Sequence, residues 1–150
     1  MYVRLASVRS GIGENMEDRY LFKAKRLDNG EWATGSLITC EDGTRKIATS
    51  CLEGKANEPI LVCAYDVDRD TICQCTGLKD KNGKLIWEND VTLRTSVTGT
   101  HKGKIVYSSD GSFCQKDFET TFENLLIHSE SYFEVIGNVF DNPELLESEE

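Results

Sequence analysis

Two acidic residues, Glu88 and Asp90, have the best spacing for catalysis in this chain. Carboxyl groups two residues apart on an extended strand point to the same side, which is the minimum arrangement for a general acid and a general base. Together with His101 they suggest a hydrolase or a nucleotide-modifying enzyme. Capping a turn explains the two acids equally well.

Other parts of a catalytic site are missing from the sequence. Neither His101 nor His128 has a nucleophile in a motif that would place it within hydrogen-bond reach. The chain also has no G-x-S-x-G elbow, no glycine loop that cradles phosphates and no H-E-x-x-H helix. We therefore predict no catalytic residues and favour a protein without enzymatic activity over the enzyme.

Residues that could ligate a metal are poorly spaced. The Cys-x-x-Cys pairs of a structural zinc site are absent, and Asp66, Asp68 and Asp70 lack the glycine and the distant glutamate of a calcium loop. The sequence therefore predicts no metal and no cofactor. Because no secretory signal is recognisable, we expect the six cysteines to be free thiols in a reducing compartment. They are Cys40, Cys51, Cys63, Cys73, Cys75 and Cys114.

A binding surface is the alternative to a catalytic site. Small barrels use exposed aromatic rings to hold peptides or unstacked bases. Tyr65 and Tyr107 could contribute such rings together with the two tryptophans, although aromatic residues on strands are more often part of the core. Lysines after residue 78 form the main concentration of positive charge. The candidate binding residues are Trp32, Trp87, Lys79, Lys81 and Lys84.

The run that contains these lysines predicts a hairpin. Asn82 and Gly83 both tolerate positive φ, so we expect the chain to reverse tightly there. An extended strand over 85–91 should follow, with Trp87 pointing inward. A bend is expected near Asn89, because asparagine can enter the left-handed region.

The same run resembles the signature of a known family. Residues 76–83 read TGLKDKNG, and Glu88 and Asp90 follow an apolar stretch. These residues resemble the YopX family of phage and prophage proteins, as do the blocks 26–35 and 133–146 in the same order. The motif residues are Thr76, Gly77, Leu78, Asp80, Asn82, Gly83, Glu88 and Asp90. The resemblance implies a phage-derived protein with an SH3-like barrel element.

Two positions depart from the family pattern. Cys75 stands where YopX proteins usually have an aromatic residue, and Asn89 stands where they usually have glycine. Asn89 preserves the backbone requirement of that position better than most residues would. The smaller Cys75 side chain leaves room that a neighbour must fill, or exposes a groove.

Turn signals recur along the chain and divide it into short strands. Asp-Asn-Gly at 28–30, Glu-Asp-Gly at 41–43 and Asp-Gly at 110–111 separate runs about ten residues apart, a pattern typical of a small barrel or sandwich. We predict a mainly β fold with little helix, built from consecutive hairpins, and the family resemblance implies an SH3-like small β-barrel element within it. The expected strands are 19–25, 32–39, 44–50, 60–65, 71–75, 85–94, 101–107, 113–118 and 132–140. The expected helices are 119–126 and a short C-terminal turn after Pro143.

The predicted organisation is one domain with a tail at each end. Residues 1–15 are expected to be a flexible N-terminal extension, 16–147 the YopX-like domain and 148–150 an acidic tail. A globular chain of this length can bury a core without disulfides.

The net charge of −9 is concentrated near the C-terminus. Residues 1–113 hold equal numbers of basic and acidic residues, whereas 114–150 hold Lys116 against ten acids. Because a neutral body with an acidic end does not attract phosphates, we favour a protein partner or self-association, with nucleic acid at the three lysines as the alternative. No apolar run approaches the roughly 20 residues of a membrane span, so we expect no membrane contact and a cytoplasmic location in a host bacterial cell.

Overall fold

Two compact units divide the chain, Met1–Gln74 and Cys75–Glu150. The computed structural model describes residues 18–50, 62–126 and 128–147, so the predicted extension over 1–15 and the predicted tail over 148–150 lie outside the described residues. Strands dominate both units, which confirms the mainly β fold. Within these described ranges, no helix is long and apolar enough to cross a membrane.

Four strands and the start of a fifth build the first unit. They are β1 (Phe22–Lys25), β2 (Trp32–Thr39), β3 (Arg45–Ser50), β4 (Val62–Asp66) and β5 (Cys73–Lys79). Neighbours are antiparallel in the order β4-β3-β2-β1-β5, and Gly30 and Gly43 turn the chain between strands with positive φ. The core of this unit contains Ala24, Ala33, Ile47 and Val67.

The second unit contains the remaining strands. They are β6 (Leu85–Trp87), β7 (Asp90–Ser96), β8 (Gly99–Tyr107), β9 (Phe113–Asp117), β10 (Glu123–Leu125) and β11 (Phe133–Asn138), with one short helix, α1 (Ser129–Tyr132). β6 pairs with the end of β5, and the other strands form an antiparallel sheet in the order β10-β9-β8-β7-β11. The core of this unit contains Ile86, Ile105, Leu126, Phe133 and Val135.

The predicted barrel is not confirmed. The strand order of the second unit ends in β10 on one side and β11 on the other, and no pairing between described residues joins these two edges. The described strands therefore form two antiparallel sheets that are not closed. Consecutive hairpins are present as predicted, and β2 covers the predicted range of 32–39.

The predicted strand over 85–94 is interrupted by a turn at Glu88 and Asn89. The expected bend at Asn89 is confirmed, since this residue has φ 66°. Ile86 is fully buried, whereas Trp87 is half-buried and lies opposite the fully buried Cys75 of β5, so its inward orientation stays a prediction. The turn separates β6 from β7, so a single alternation does not run through the whole segment.

The predicted helix over 119–126 is wrong. Asp117 Oδ1 accepts the N–H groups of Glu119 and Thr120, Thr121 takes φ 61°, and the next residues pair with β9 as β10. Pairing with a neighbouring strand decides this segment over its local propensity. The C-terminal turn is confirmed as a 3₁₀ helix, Pro143–Leu146, with proline at its first position.

The cysteine prediction is partly wrong. Cys63 is disulfide-bonded, whereas Cys40, Cys73, Cys75 and Cys114 are free thiols. Cys75 is fully buried opposite Trp87 of β6, so no groove opens at its side chain. Burial, followed by the nearby carboxylate of Glu123, raises the pKa of Cys114 and keeps it in the thiol form.

Candidate functional site

Asp80 is the most buried residue of the sequence motif. Its side chain is only 1% exposed, at the turn between β5 and β6. Oδ1 accepts the N–H groups of Asn82 and Lys84, both at 2.9 Å, and Oδ2 accepts that of Val135 at 2.9 Å. Asp80 therefore closes the predicted turn and ties it to β11.

The pKa of Asp80 reflects two opposing effects. Burial, the largest single effect, raises the pKa of this carboxyl group, but the hydrogen bonds from Val135, Lys84 and Asn82 together outweigh burial and hold it below its usual value. The carboxyl group of Asp80 is therefore ionised, and both of its oxygens already accept hydrogen bonds from the backbone. Such a group suits an anchor better than a proton donor.

The residues before Asp80 shape a bulge. Thr76 Oγ1 donates to the carbonyl of Ile86 at 2.8 Å and accepts the N–H of Leu78 at 3.1 Å. Gly77 has φ 77°, and the pairing of β5 with β6 shifts register between Cys75 and Lys79. Thr76 and Gly77 thus have backbone roles in this irregularity.

Glu88 lies in the turn between β6 and β7, and Asp90 is the first residue of β7. Asp90 is buried, and its Oδ2 accepts the N–H of Trp87 at 2.8 Å. The backbone N–H of Asn89 donates to the carbonyl of Ile105 at 2.9 Å. The backbone carbonyl of Asn89 accepts the N–H of Val139 at 3.0 Å. The extended strand that would have aimed both carboxyl groups to one side is absent here, and the structure favours turn capping for Asp90.

The three candidate lysines lie on the hairpin formed by β5 and β6. Lys79 ends β5, and Lys81 and Lys84 lie on the turn, all with exposed side chains. Lys81 forms an ion pair with Glu134 of β11, which neutralises part of the positive charge of this group. Their role in binding stays a prediction.

The two candidate tryptophans belong to different units. Trp32 of β2 is half-buried, and the ammonium groups of Lys23 and Lys25 lie 5.0 and 5.5 Å from its ring centroid, within range of cation–π attraction. Trp87 of β6 is also half-buried. In the second unit, Tyr107 is exposed and packs edge-on against Phe113.

A buried polar group in the second unit was not predicted from the sequence. Gln115 is fully buried on β9, and its Nε2 donates to the carbonyl and to Oγ1 of Thr92 on β7, both at 3.0 Å. The amide reaches across β8 at Gly103, where a Cβ atom would lie 2.8 Å from Gln115 Cγ. Gly103 therefore leaves the space through which Gln115 connects β9 to β7.

Next to this group, a hydroxyl, an imidazole and a carboxylate form a row. Thr98 Oγ1 lies 3.1 Å from His101 Nε2, and His101 Nδ1 lies 3.3 Å from Asp117 Oδ2. A hydroxyl thus lies within hydrogen-bond distance of His101, and no sequence motif indicated it. The only sequence signal is the spacing of Thr98 and His101 across a short hairpin turn, and nothing local indicates Asp117.

The edge of the second sheet exposes apolar side chains. The β10 edge, residues 122–125, has Phe122 at one end and Leu125 at the other, 71% and 52% exposed. Among the described residues, no group of three or more His, Cys, Asp or Glu side chains could hold a metal ion.

The fold and the motif geometry define an antiparallel β protein whose motif residues mainly shape a hairpin and its turns. The family model described as YopX protein matches residues 21–147, and the chain belongs to the YopX family. This confirms the family predicted from residues 76–83. The match extends over both units.

Comparison with solved structures finds a protein that is similar to this chain over most of the length of both. The chain is similar to protein EF1440 from Enterococcus faecalis, with 25% identity, a TM-score of 0.53, and coverage of 84% of this chain and 96% of that one. No curated protein matches the chain significantly.

Proposed function

We propose that this chain is a phage-derived protein-binding module that adds a strand of its partner to the β10 edge. The observation that carries the proposal is the pair of exposed apolar residues at the β10 edge, Leu125 in the strand and Phe122 just before it. An exposed edge with apolar side chains is a template for pairing with another chain. The phage origin is inferred from the YopX resemblance.

The backbone direction of the β10 edge supports this proposal. The N–H of Asp117 donates to the carbonyl of Phe122 at 2.9 Å, so this carbonyl is directed toward β9, while the N–H of Phe122 donates to Thr120 Oγ1 at 3.4 Å. In an antiparallel pair this direction alternates along the strand, which leaves Glu123 and Leu125 to direct theirs away from the sheet. These outward N–H and C=O groups can pair with an incoming strand.

A second copy of the chain is the partner that this edge fits best. A two-fold axis through Asn124 pairs two β10 strands antiparallel and places Glu123 opposite Leu125 of the second copy. The only side chain that then faces itself is the uncharged Asn124. Like charges directly opposite each other would destabilise the pair, and this register avoids them.

Charge also favours a protein partner over nucleic acid. Residues 114–150 hold ten acids against Lys116, and Lys81 of the candidate basic group is paired with Glu134. Phosphate binding by counterion release needs a concentration of unneutralised cations.

Light scattering on the whole chain at two concentrations tests the proposal. We expect the dimer fraction to rise with concentration, as mass action requires. Leu125→Glu should abolish the dimer because it places two carboxylates opposite each other, whereas Leu125→Lys should keep it by facing Glu123. Val97→Glu is the matched control, since Val97 is a fully exposed apolar residue on another turn. A wild-type chain that is monomeric at both concentrations, or a Leu125→Glu variant that dimerises normally, would overturn the proposal.

A further inference from the structure

The hairpin between β7 and β8 carries groups in the order that hydrolases use to activate a hydroxyl. Thr98 Oγ1 faces His101 Nε2 at 3.1 Å, and the other imidazole nitrogen faces Asp117 Oδ2 at 3.3 Å. A nucleophile beside a base, with the base oriented by a third group, is the structural mark of covalent catalysis. We propose that Thr98 is an acyl-accepting nucleophile, with His101 as its general base and Asp117 as the positioning residue. The protein-binding role of the β10 edge does not depend on this activity.

Asp117 is built to hold the imidazole in one orientation. It is 3% exposed, and Oδ1 accepts the N–H groups of Glu119 and Thr120 at 2.8 and 2.9 Å, while Oδ2 faces His101. A carboxylate at Nδ1 favours the tautomer with its proton on that nitrogen, which leaves the Nε2 lone pair toward Thr98.

The charge of Asp117 is maintained despite its burial. Burial raises the pKa of this carboxyl group most, but the hydrogen bonds from Thr120 and Glu119, aided by His101, outweigh it and lower the pKa. The carboxylate is therefore ionised at neutral pH.

The hydroxyl is accessible to an acyl donor while its position is fixed. Thr98 is exposed, the adjacent Val97 is fully exposed and His101 is half-buried. Ser96 Oγ lies 2.8 Å from Thr98 Oγ1 and 3.2 Å from the carbonyl oxygen of Gly99, and it accepts the N–H of Thr98 at 3.3 Å. These contacts hold the Thr98 hydroxyl within the turn, beside the imidazole of His101.

The proposed reaction takes an activated ester as the acyl donor. Thr98 Oγ1 attacks the carbonyl carbon while His101 Nε2 takes the hydroxyl proton. The bond to the leaving alcohol or phenol then breaks, and His101 returns the proton to that leaving group. Water, deprotonated in turn by His101, hydrolyses the ester on Thr98, releases the carboxylic acid and restores the hydroxyl.

Acetylation of the full chain by p-nitrophenyl acetate tests the proposal. Peptide mass spectrometry locates the acetyl ester, which separates Thr98 from lysines that also react. We expect the ester on Thr98 to form about 100-fold more slowly in His101→Ala, the scale of general base catalysis. Thr98→Ser should keep the reaction, and Thr100→Ala, a change at an exposed threonine of the same hairpin, should leave it unaltered.

The role of Asp117 needs a readout that a loss of packing alone would not change. Nitrogen-15 shifts of the His101 ring report its tautomer, and Asp117→Asn should move the proton from Nδ1 toward Nε2. An unmodified Thr98 after reaction of the wild-type chain, or equal acetylation of Thr98 in wild type and His101→Ala, would overturn the proposal. If the His101 ring keeps the same tautomer in Asp117→Asn, the positioning role proposed for Asp117 is wrong.

Discussion

Replacing Asp80 with alanine tests whether the motif is an anchor of the fold. The change leaves three backbone N–H groups without their acceptor, those of Asn82, Lys84 and Val135. The N–H of Val135 is buried and costs about 1–3 kcal/mol when unpaired, while the two groups at the turn surface lose about 1 kcal/mol each. We therefore expect a loss of about 4 kcal/mol in the free energy of unfolding.

Urea unfolding measures this loss, with Asp110→Ala as the matched control. Asp110 also accepts hydrogen bonds within a hairpin turn, from the N–H and hydroxyl groups of Ser112, but it is exposed. Its replacement should lower stability much less, because water can replace the lost acceptor. An Asp80→Ala variant as stable as Asp110→Ala would refute the anchoring role.

The pH dependence of stability follows from the lowered pKa of Asp80. A carboxyl group whose pKa is lower in the folded than in the unfolded chain stabilises the fold above the unfolded value, about pH 4. This stabilisation is lost as the pH falls through the folded pKa. Asp80→Asn removes the titration, so its unfolding free energy should fall less between about pH 4 and pH 2 than that of wild type. Equal slopes for the two proteins would contradict the assignment.

Two further changes test backbone positions. Asn89→Ala should lower the free energy of unfolding by about 1 kcal/mol, since alanine tolerates φ 66° poorly, whereas Asn89→Gly should leave it nearly unchanged; thermal unfolding compares the two. Gly103→Ala should cost about 1–3 kcal/mol in urea unfolding, because its Cβ atom would lie 2.5 Å from the carbonyl oxygen of Lys116. A Gly103→Ala variant more stable than wild type would show that β8 and β9 can separate without cost.

Local signals predicted the turns and several strands well. Asp28-Asn29-Gly30 and Asn82-Gly83 mark reversals where the structure places glycines at positive φ, and the range of β2 was predicted as it is found. Tolerance of positive φ is a property of the residue itself, so it can be recognised without knowing the fold. The bend at Asn89 was predictable for the same reason.

Errors occurred where a distant partner decides the structure. Residues 123–125 form a strand because β9 pairs with them, and the turn at Glu88 and Asn89 divides the predicted strand over 85–94 into β6 and β7. The SH3-like barrel depended on closure between strands, and closure is not a local property. Sequence patterns give the direction of one strand but not its neighbour in space.

The sequence by itself determined the family, the mainly β class and the turn chemistry of the motif, since all three depend on residues close along the chain. Only the tertiary structure decided the roles of the motif and of the polar groups. Asp80 acquires its third hydrogen bond from Val135, 55 residues away. Thr98, His101 and Asp117 meet because β8 and β9 pair, and Gln115 reaches Thr92 because Gly103 lies between them. Contacts of this kind follow from how the sheet is assembled, which no short stretch of sequence contains.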